Sequence, residues 1–150
     1  MIPEFDGYGL LPPGIHDCTL TEIRGRLCWN PRRQEIFDGL CAFIVHEWAP
    51  LGIAAPLLVD GSFVRDKSLP ADVDVVLDLS AEAPAQAISL ALSLRFRHDE
   101  IKLTYNVDVW TRHPLIPNDL VQFFQYLGDK AAAELCIDCK HLKGILRIQP

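Results

Sequence analysis

The sequence predicts a single α/β or α+β domain with a central sheet flanked by helices. Its 150 residues are the usual length of one domain, and 49% apolar with 23% charged residues is the balance of a chain that folds around a core. Segments of helical periodicity alternate along the chain with short strand-like segments, and no repeat or linker separates them. We therefore expect one domain over residues 1–150, with residues 1–17 as an extended N-terminal arm rich in proline and glycine.

Two helices are predicted in the first third of the chain. Thr19 and Glu22 have the spacing of a capping box, so a short helix should follow and end near Leu27. The Asn-Pro dipeptide at 30–31 is typical of a helix start, because asparagine caps free N–H groups and proline fits the first helical position. Apolar residues then recur at helical spacing, and we expect this second helix to end near Pro50.

The middle of the chain is predicted to form two strands. Residues 56–60 are a short apolar run that Gly61 ends, as in a buried strand. Residues 72–79 alternate: valines and leucines occupy one side, and the other side includes Asp72 and Asp74. The second strand therefore presents a largely acidic face.

The second half of the chain predicts further elements of both kinds. They are a helix over residues 81–97, a turn at 98–100, a strand from Ile101 to Thr111, a helix that Asn118 would cap and that runs to about Cys136, and a last strand or edge over residues 144–148.

The net charge of −6 and the pI of about 5.2 narrow the function classes. Proteins that hold nucleic acid by bulk electrostatics usually carry a basic face, so bulk DNA binding is disfavoured. A nucleotide bound through metal ions remains compatible, since the ions supply positive charge locally. An acidic surface also suits a protein that caps a basic partner.

The sequence lacks membrane and export signals. No apolar run approaches the roughly 18 residues that a membrane span needs, and the first residues lack the basic and apolar regions of a signal peptide. Five cysteines form an odd count without framework spacing, as expected of reduced thiols. These features predict a cytoplasmic protein without a membrane segment.

The strongest chemical signal is Gly61-Ser62, followed after nine residues by Asp72-Val73-Asp74. A glycine at a strand end lets the backbone approach a phosphate, and Ser62 can donate its hydroxyl and its backbone N–H to phosphate oxygens. Two residues apart on a strand, Asp72 and Asp74 present both carboxylates from one face. Because side-by-side carboxylates repel each other unless a cation lies between them, the pair predicts a Mg²⁺ site.

A third carboxylate would complete a two-metal site, in which the ions stabilise the attacking and leaving oxygens. Asp108 is the candidate, because its strand can pair with the strand of Asp72 and Asp74. Two other interpretations stay open. In the first, the strand face of Asp108, which also carries Lys102 and Thr104, is exposed to water and has no catalytic role. In the second, the Gly-Ser and Asp-x-Asp pattern arises by chance, and the chain is a plain α/β domain with acidic surface residues.

Residues 57–62 (Leu-Leu-Val-Asp-Gly-Ser) and 72–76 (Asp-Val-Asp-Val-Val) resemble the signature of the DNA polymerase β-type nucleotidyltransferases. The minimal bacterial members have Gly-Ser, then Asp-x-Asp at similar spacing, then a later strand aspartate. The chain as a whole is similar to a family of small bacterial nucleotidyltransferase-like proteins known only as a domain of unknown function. The matching stretches are Leu-Pro-Pro-Gly-Ile-His-Asp at 11–17, Asn-Pro-Arg-Arg at 30–33, Phe-Phe-Gln at 123–125 and Lys-Gly-Ile-Leu-Arg-Ile at 143–148.

The resemblance implies a nucleotidyltransferase fold with a small mixed central sheet. The implied site residues are Asp72, Asp74 and Asp108, which would bind Mg²⁺ and carry the catalysis, and Gly61, Ser62 and Arg65, which would bind the phosphates of a nucleoside triphosphate such as ATP. Asp66 departs from the pattern, since many minimal members have glycine there, and it would place an acidic residue beside the triphosphate.

The implied reaction transfers a nucleoside monophosphate to a hydroxyl of a protein or an RNA end. Minimal nucleotidyltransferases of this sort often act as antitoxins that modify or cap a companion toxin, so a toxin is the implied protein partner. The alternative comes from another class: a catalytically inactive binding protein of the same fold, of antitoxin or immunity type, that neutralises a partner by capping it. The small size and the negative charge fit this alternative.

Three other groups of residues allow a structural or a functional interpretation. Cys136 and Cys139 have CxxC spacing, but a structural zinc site needs four ligands, so packing is favoured. A group of aromatic residues is interpreted as part of the core, with stacking on a nucleotide base as the alternative. A group of arginines is interpreted as solvated helix ends, with contact to a phosphate-bearing or acidic partner as the alternative. These two groups are Phe123, Phe124 and Tyr126, and Arg24, Arg26, Arg32 and Arg33.

Overall fold

The computed structural model describes residues 1–117 and 120–149, and these form a mixed α/β structure. The strands are β1 (Gly14–Asp17), β2 (Leu57–Asp60), β3 (Val73–Asp78), β4 (Val107–Arg112) and β5 (Gly144–Ile148). The α-helices are α1 (Leu20–Leu27), α2 (Pro31–Phe43), α3 (Pro84–Phe96), α4 (His98–Tyr105), α5 (Leu120–Phe124) and α6 (Asp129–Leu135).

The two predicted helix starts are confirmed. The Thr19 side chain accepts a hydrogen bond from the Glu22 backbone N–H, and the Glu22 carboxylate accepts one from the Thr19 N–H, at 3.2 and 2.8 Å. Asn30 caps α2 by accepting from the Arg33 N–H. After α2 the helical path continues as a π-helix (Ile44–Trp48) and a 3₁₀ turn (Ala49–Leu51), so it ends within one residue of the predicted position, in altered geometry.

The five strands form one sheet in the order β1-β5-β2-β3-β4. β1 pairs parallel with β5, and β3 pairs parallel with β4. β2 lies between β5 and β3 and runs antiparallel to both. The mixed central sheet with flanking helices is therefore confirmed.

Helices cover both faces of the sheet. Successive side chains of a strand point to opposite faces, so each strand contributes apolar side chains to the packing on either side. Leu57 and Val59 of β2 belong to the larger core, which includes residues of α1, α2, α3 and α4. Leu58 and Val76 face the other way and pack with Val121 of α5 in a smaller apolar cluster. Within the described residues, none of the helices has the length and apolar character needed to cross a membrane.

Two predictions for the N-terminal arm and for residues 98–106 were wrong. Residues 14–17 of the expected arm form β1, which completes the sheet beside β5. Residues 98–105 form α4 rather than a turn and the start of a strand. Ile101 is buried and Tyr105 half-buried, a spacing of four that is helical, whereas Leu103, which would share their strand face, is 87% exposed.

The predicted helix from Asn118 to Cys136 is divided in the structure, and Asn118 itself lies outside the described residues. α5 and α6 are separated at Gly128, whose φ of +77° does not fit a right-handed helix. Before the break, Tyr126 forms a β-bridge with Leu142. The interruption therefore attaches the end of α5 to the segment that precedes β5.

Candidate functional site

Aspartates occupy neighbouring positions on three adjacent strands. Asp60 of β2 lies opposite Asp74 of β3, and Asp74 lies opposite Asp108 of β4. Because neighbouring strands are about 4.8 Å apart, these carboxylates form a row across one sheet face. Asp72 immediately precedes β3, and Lys102 forms ion pairs with both Asp72 and Asp108. These four aspartates are called the acidic row. Sequence reasoning named three of these residues and missed Asp60, although Asp60 stands directly before Gly61.

Gly61 turns the chain beside the Asp74 carboxylate. Its φ is +82°, a backbone conformation that glycine adopts freely. A Cβ built on Gly61 would overlap Oδ2 of Asp74 and lie 2.9 Å from its Cγ. The glycine is therefore required both by the turn at the end of β2 and by the volume that Asp74 occupies.

The Asp74 carboxylate is the least compensated charge of the row. Burial, followed by the neighbouring charges of Asp60, Asp72 and Asp108, raises the pKa of Asp74 to about 7. Among the described residues no lysine, arginine or histidine forms an ion pair with it, and it lines a cavity. Asp74 is thus placed to accept a positive charge from a ligand.

Asp60 is buried and carries its own cation. Lys143, which precedes β5, forms a buried ion pair with it. Burial raises the pKa of Asp60, and the Lys143 ammonium acts in the opposite direction. No spacing rule joins two residues 83 positions apart, so Lys143 could not be assigned to the site from the sequence.

Asp108 is held by two residues of α4. His98 and Lys102 are one helical turn apart, and the first donates from Nε2 to Asp108 Oδ1 at 2.6 Å while the second donates from Nζ to Oδ2 at 2.5 Å. Lys102 Nζ also lies 2.9 Å from Asp72 Oδ2. Hydrogen bonds to Asp99 and then to Asp108 raise the pKa of His98. Although burial opposes them, the bonds from Lys102 and His98 keep the pKa of Asp108 low.

A cavity of about 420 Å³ opens beside the row of aspartates. Gly61, Ser62, Asp72 and Asp74 contribute to its wall, as do basic residues and two exposed aromatic rings. The basic residues are Arg65, Lys67, Lys130 and Lys143. A cavity of this size and composition can hold a small anionic ligand.

The aromatic residues at and just after the end of α5 correct a prediction. Phe124 is partly buried against the cluster of Leu58 and Val76, as expected of a core residue. Phe123 and Tyr126 are instead 63% and 40% exposed and line the cavity. Their rings offer the cavity a flat apolar surface that the sequence analysis assigned to the core.

Arg65 lies in the cavity wall but is not an unattached cation. It forms an ion pair with Glu134 of α6, which also pairs with Lys67 at 3.0 Å. Asp66, the departure from the nucleotidyltransferase pattern, is exposed, and its backbone N–H donates to Gly9 O at 2.8 Å. It does not appear among the described residues that line the cavity. Its carboxylate is therefore not part of the cavity wall.

Two arginines of the sequence cluster hold the loop between Gly61 and Asp72 from behind. Arg33 is fully buried and donates to backbone carbonyls of Phe63, Arg65 and Lys67. Arg32 donates to the carbonyls of Pro70 and Ala71. For these two residues the interpretation as solvated helix ends was wrong, because their guanidinium groups satisfy the backbone of an irregular loop.

The two cysteines of the CxxC pair differ in their surroundings. Cys136 follows α6 in a left-handed conformation and is exposed, so the prediction that it packs was wrong, whereas Cys139 packs against a small apolar cluster. Over residues 1–117 and 120–149, no three acidic, histidine or cysteine side chains converge closely enough to hold a metal ion.

A divalent cation fits one part of the acidic row. Asp72 and Asp74 both line the cavity, and Mg²⁺ is commonly bound by one or two carboxylates together with substrate phosphates. Asp108 fits such an ion less well, because each of its oxygens already accepts a hydrogen bond from a basic side chain. Asp74 is therefore the position most open to an ion, with Asp72, whose Oδ2 contacts Lys102, as the second carboxylate and a bound substrate as the source of the remaining ligands.

Comparison with known proteins gives one match. The model of a family of unknown function, DUF6932, matches residues 3–149. No curated protein and no solved structure matches the chain with significant similarity. Since the match spans nearly the whole sequence, the chain belongs to the DUF6932 family.

Proposed function

We propose that this protein is a Mg²⁺-dependent nucleotidyltransferase that binds a nucleoside triphosphate, such as ATP, in the cavity beside Asp74. The observation that carries the proposal is the Asp74 carboxylate, which has no ion pair among the described residues and lies between Asp72 and the Gly61-Ser62 turn. A cation bound at Asp74 would neutralise the charge of nucleotide phosphates that lie beside the Gly61-Ser62 turn. This is the arrangement that the resemblance to DNA polymerase β-type nucleotidyltransferases predicts.

The basic residues of the cavity support a phosphate ligand. Ser62 supplies a hydroxyl and a backbone N–H next to the acidic row, and Lys67 and Lys130 also line the cavity. Arg65 adds a guanidinium that Glu134 holds in place. The cavity thus combines basic residues, which can contact phosphate oxygens, with aspartates that can hold a cation.

The exposed rings of Phe123 and Tyr126 support a nucleotide rather than a simple phosphate. Stacking of a base on an aromatic ring contributes about 1–3 kcal/mol in nucleic-acid complexes. The β-bridge holds the backbone of Tyr126 beside Leu142, which immediately precedes Lys143, and Lys143 is paired with Asp60. The aromatic surface is therefore anchored to the acidic row.

In the proposed reaction the oxygen of an acceptor hydroxyl attacks the α-phosphorus. The bond from that phosphorus to the bridging oxygen of the β-phosphate breaks and pyrophosphate leaves. The hydroxyl proton passes to the Asp108 carboxylate once His98 or Lys102 releases one of its oxygens. Bound Mg²⁺ would offset the charge that develops on the phosphate oxygens. The protein's own contribution is positioning by Asp72, Asp74 and the Gly61-Ser62 turn, together with preorganised positive charge.

The proposal is tested by calorimetric titration of the full chain with each nucleoside triphosphate, with and without Mg²⁺. Wild type is compared with the Asp72→Asn/Asp74→Asn double variant. We expect Mg²⁺-dependent binding that weakens by at least about tenfold, or about 1.4 kcal/mol, in the double variant. Equal affinity in the two proteins would refute the nucleotide site.

The matched control is Asp78→Asn. Asp78 lies on the same face of β3 but pairs with Arg112 and is not among the residues that line the cavity. Its substitution removes a carboxylate from the same strand and should leave the nucleotide affinity within about twofold. A loss equal to that of the double variant would mean that net charge, rather than the site, controls binding.

A second candidate function is stoichiometric capping of a partner protein by an inactive member of the fold. The engagement of both Asp108 oxygens by His98 and Lys102 favours it, because a catalytic third carboxylate would have to be released from them. The double variant separates the two functions. Loss of the biological effect favours catalysis, and retention with unchanged partner affinity favours capping.

A further inference from the structure

Lys102 occupies the position between two of the carboxylates that the resemblance assigns to metal ions. Its Nζ lies 2.9 Å from Asp72 Oδ2 and 2.5 Å from Asp108 Oδ2. A lysine ammonium is charged at neutral pH, and here two carboxylates hold it. A fixed positive charge therefore already stands in this part of the site.

The position of Lys102 on α4 places its side chain beside Asp108. α4 leads directly into β4, and Asn106 makes the sharp change of direction in a left-handed conformation with φ of +56°. Lys102 consequently lies one turn before the helix end and above the start of β4, close to Asp108. His98, one turn earlier, holds the other oxygen of the same carboxylate.

Lysine side chains neutralise some aspartates of the acidic row but not all of them. Lys143 pairs with Asp60, and Lys102 pairs with Asp72 and Asp108. Asp74 lies between them without an ion pair among the described residues. A divalent ion placed at Asp108 would lie next to the Lys102 ammonium and the His98 ring and be repelled by both when they are charged. An ion bound by Asp74 together with Asp72 meets the Lys102 ammonium only beside Asp72, because Asp74 has no ion pair among the described residues.

We propose that Lys102 takes the place of a second divalent cation. On this proposal, which rests on the proposed function, the site binds a single divalent ion between Asp72 and Asp74. The Lys102 ammonium supplies the other positive charge, between Asp72 and Asp108. Lys102 thereby sets the number of ions that the site takes up.

The test counts Mn²⁺ ions bound to the full chain, from the electron paramagnetic resonance signal of free Mn²⁺ during titration. Mn²⁺ is used because it favours the same carboxylate oxygens as Mg²⁺. We expect one ion on wild type and two on K102M, in which Oδ2 of Asp108 is released to ligate a metal. K102R keeps the positive charge and should stay at one ion, and K102M/D108N should return to one.

Stability supplies a second readout that does not depend on activity. K102M leaves Asp72 and Asp108 without their shared cation, so its Tm in EDTA should fall below that of wild type. Added Mn²⁺ should restore more of the Tm to K102M than it adds to wild type.

Two ions on wild type, or the same number of ions on folded K102M as on wild type, would overturn the inference. A different result would contradict the proposed function, namely that D74N binds as many ions as wild type. A single ion on wild type that D74N removes, without a gain in K102M, would leave the proposed function standing and reject the role of Lys102.

Discussion

At the scale of single residues, the site depends on the space that Gly61 leaves for Asp74. A side chain at Gly61 would meet the Asp74 carboxylate, and it would also be strained by the φ of +82°. The glycine thus permits a buried carboxylate to lie against the turn that ends β2. Without it, Asp74 would have to move away from the position that it shares with Asp72 on the cavity wall.

We predict that Gly61→Ala abolishes Mg²⁺-dependent nucleotide binding and lowers the free energy of unfolding by about 1–2 kcal/mol, through backbone strain and displacement of Asp74. The measurements are calorimetric titration and urea unfolding. Gly52→Ala is the matched control, because Gly52 also has positive φ (+64°) but has no atom within 4 Å of a built Cβ. It should lose similar stability and keep binding, and equal losses of binding would argue against the steric explanation.

At the scale of elements, the start of α2 supports the loop that joins β2 to β3. The Arg33 guanidinium donates to the carbonyls of Leu27, Phe63, Arg65 and Lys67, and it stacks on Trp29 at 3.7 Å. Burial lowers the pKa of Arg33 to about 10, so the group remains charged at neutral pH. This helix start therefore fixes the backbone that carries one wall of the cavity.

We predict that Arg33→Lys lowers the free energy of unfolding by about 2–3 kcal/mol, because an ammonium group cannot satisfy four separated carbonyls and leaves some of them buried without a donor. Amides over residues 61–71 should exchange with deuterium faster than in wild type. Arg24→Lys makes the same change at an exposed arginine and should alter neither quantity. Unchanged exchange in the loop of Arg33→Lys would show that other contacts hold it.

At the scale of the whole molecule, the cavity is assembled from segments that are far apart in the sequence. The β2–β3 segment supplies the acidic wall with Gly61 and Ser62, residues 123–131 supply the aromatic residues and Lys130, and Lys143 also lines the cavity. Lys102 reaches the row from α4. The site therefore requires both helical layers to be docked on the sheet, and its integrity depends on global stability.

One contact that contributes to this stability is the ion pair between Glu47 of the π-helical segment and Arg97, which joins α3 to α4. The hydrogen bonds from Arg97 hold the pKa of Glu47 below its usual value, which outweighs the effect of burial. A lowered carboxylate pKa stabilises the fold above the pKa of the unfolded chain. That contribution is lost as the pH falls through the folded-state pKa.

We predict that Glu47→Gln lowers the free energy of unfolding by about 1 kcal/mol at pH 7, and that the difference from wild type disappears as the pH is lowered below about 4. Urea unfolding at a series of pH values measures the effect. Glu100→Gln removes the other carboxylate paired with Arg97, but Glu100 is exposed, so its effect should be smaller. A constant difference down to pH 3 would contradict the electrostatic explanation.

Local sequence patterns predicted much of the fold because their physical causes are local. The capping groups of Thr19 and Asn30 act within one helical turn. The alternation in β3 reflects a strand with one apolar face, and Gly61 ends β2 where predicted. The alternation over residues 101–105 misled, since a spacing of two and a spacing of four both fit Ile101 and Tyr105. Only packing against α2 decides between them.

By itself, the sequence determined that Gly61, Ser62, Asp72 and Asp74 lie at the ends of adjacent elements, since a strand, a turn and a second strand place them together. The tertiary structure alone decided which cations meet the carboxylates and which aromatic rings face the cavity. Lys102, Lys143 and Tyr126 reach the site through a crossover helix, a sheet neighbour and a β-bridge. Charge compensation and ring exposure depend on such long-range contacts, which leave no periodic signal in the chain.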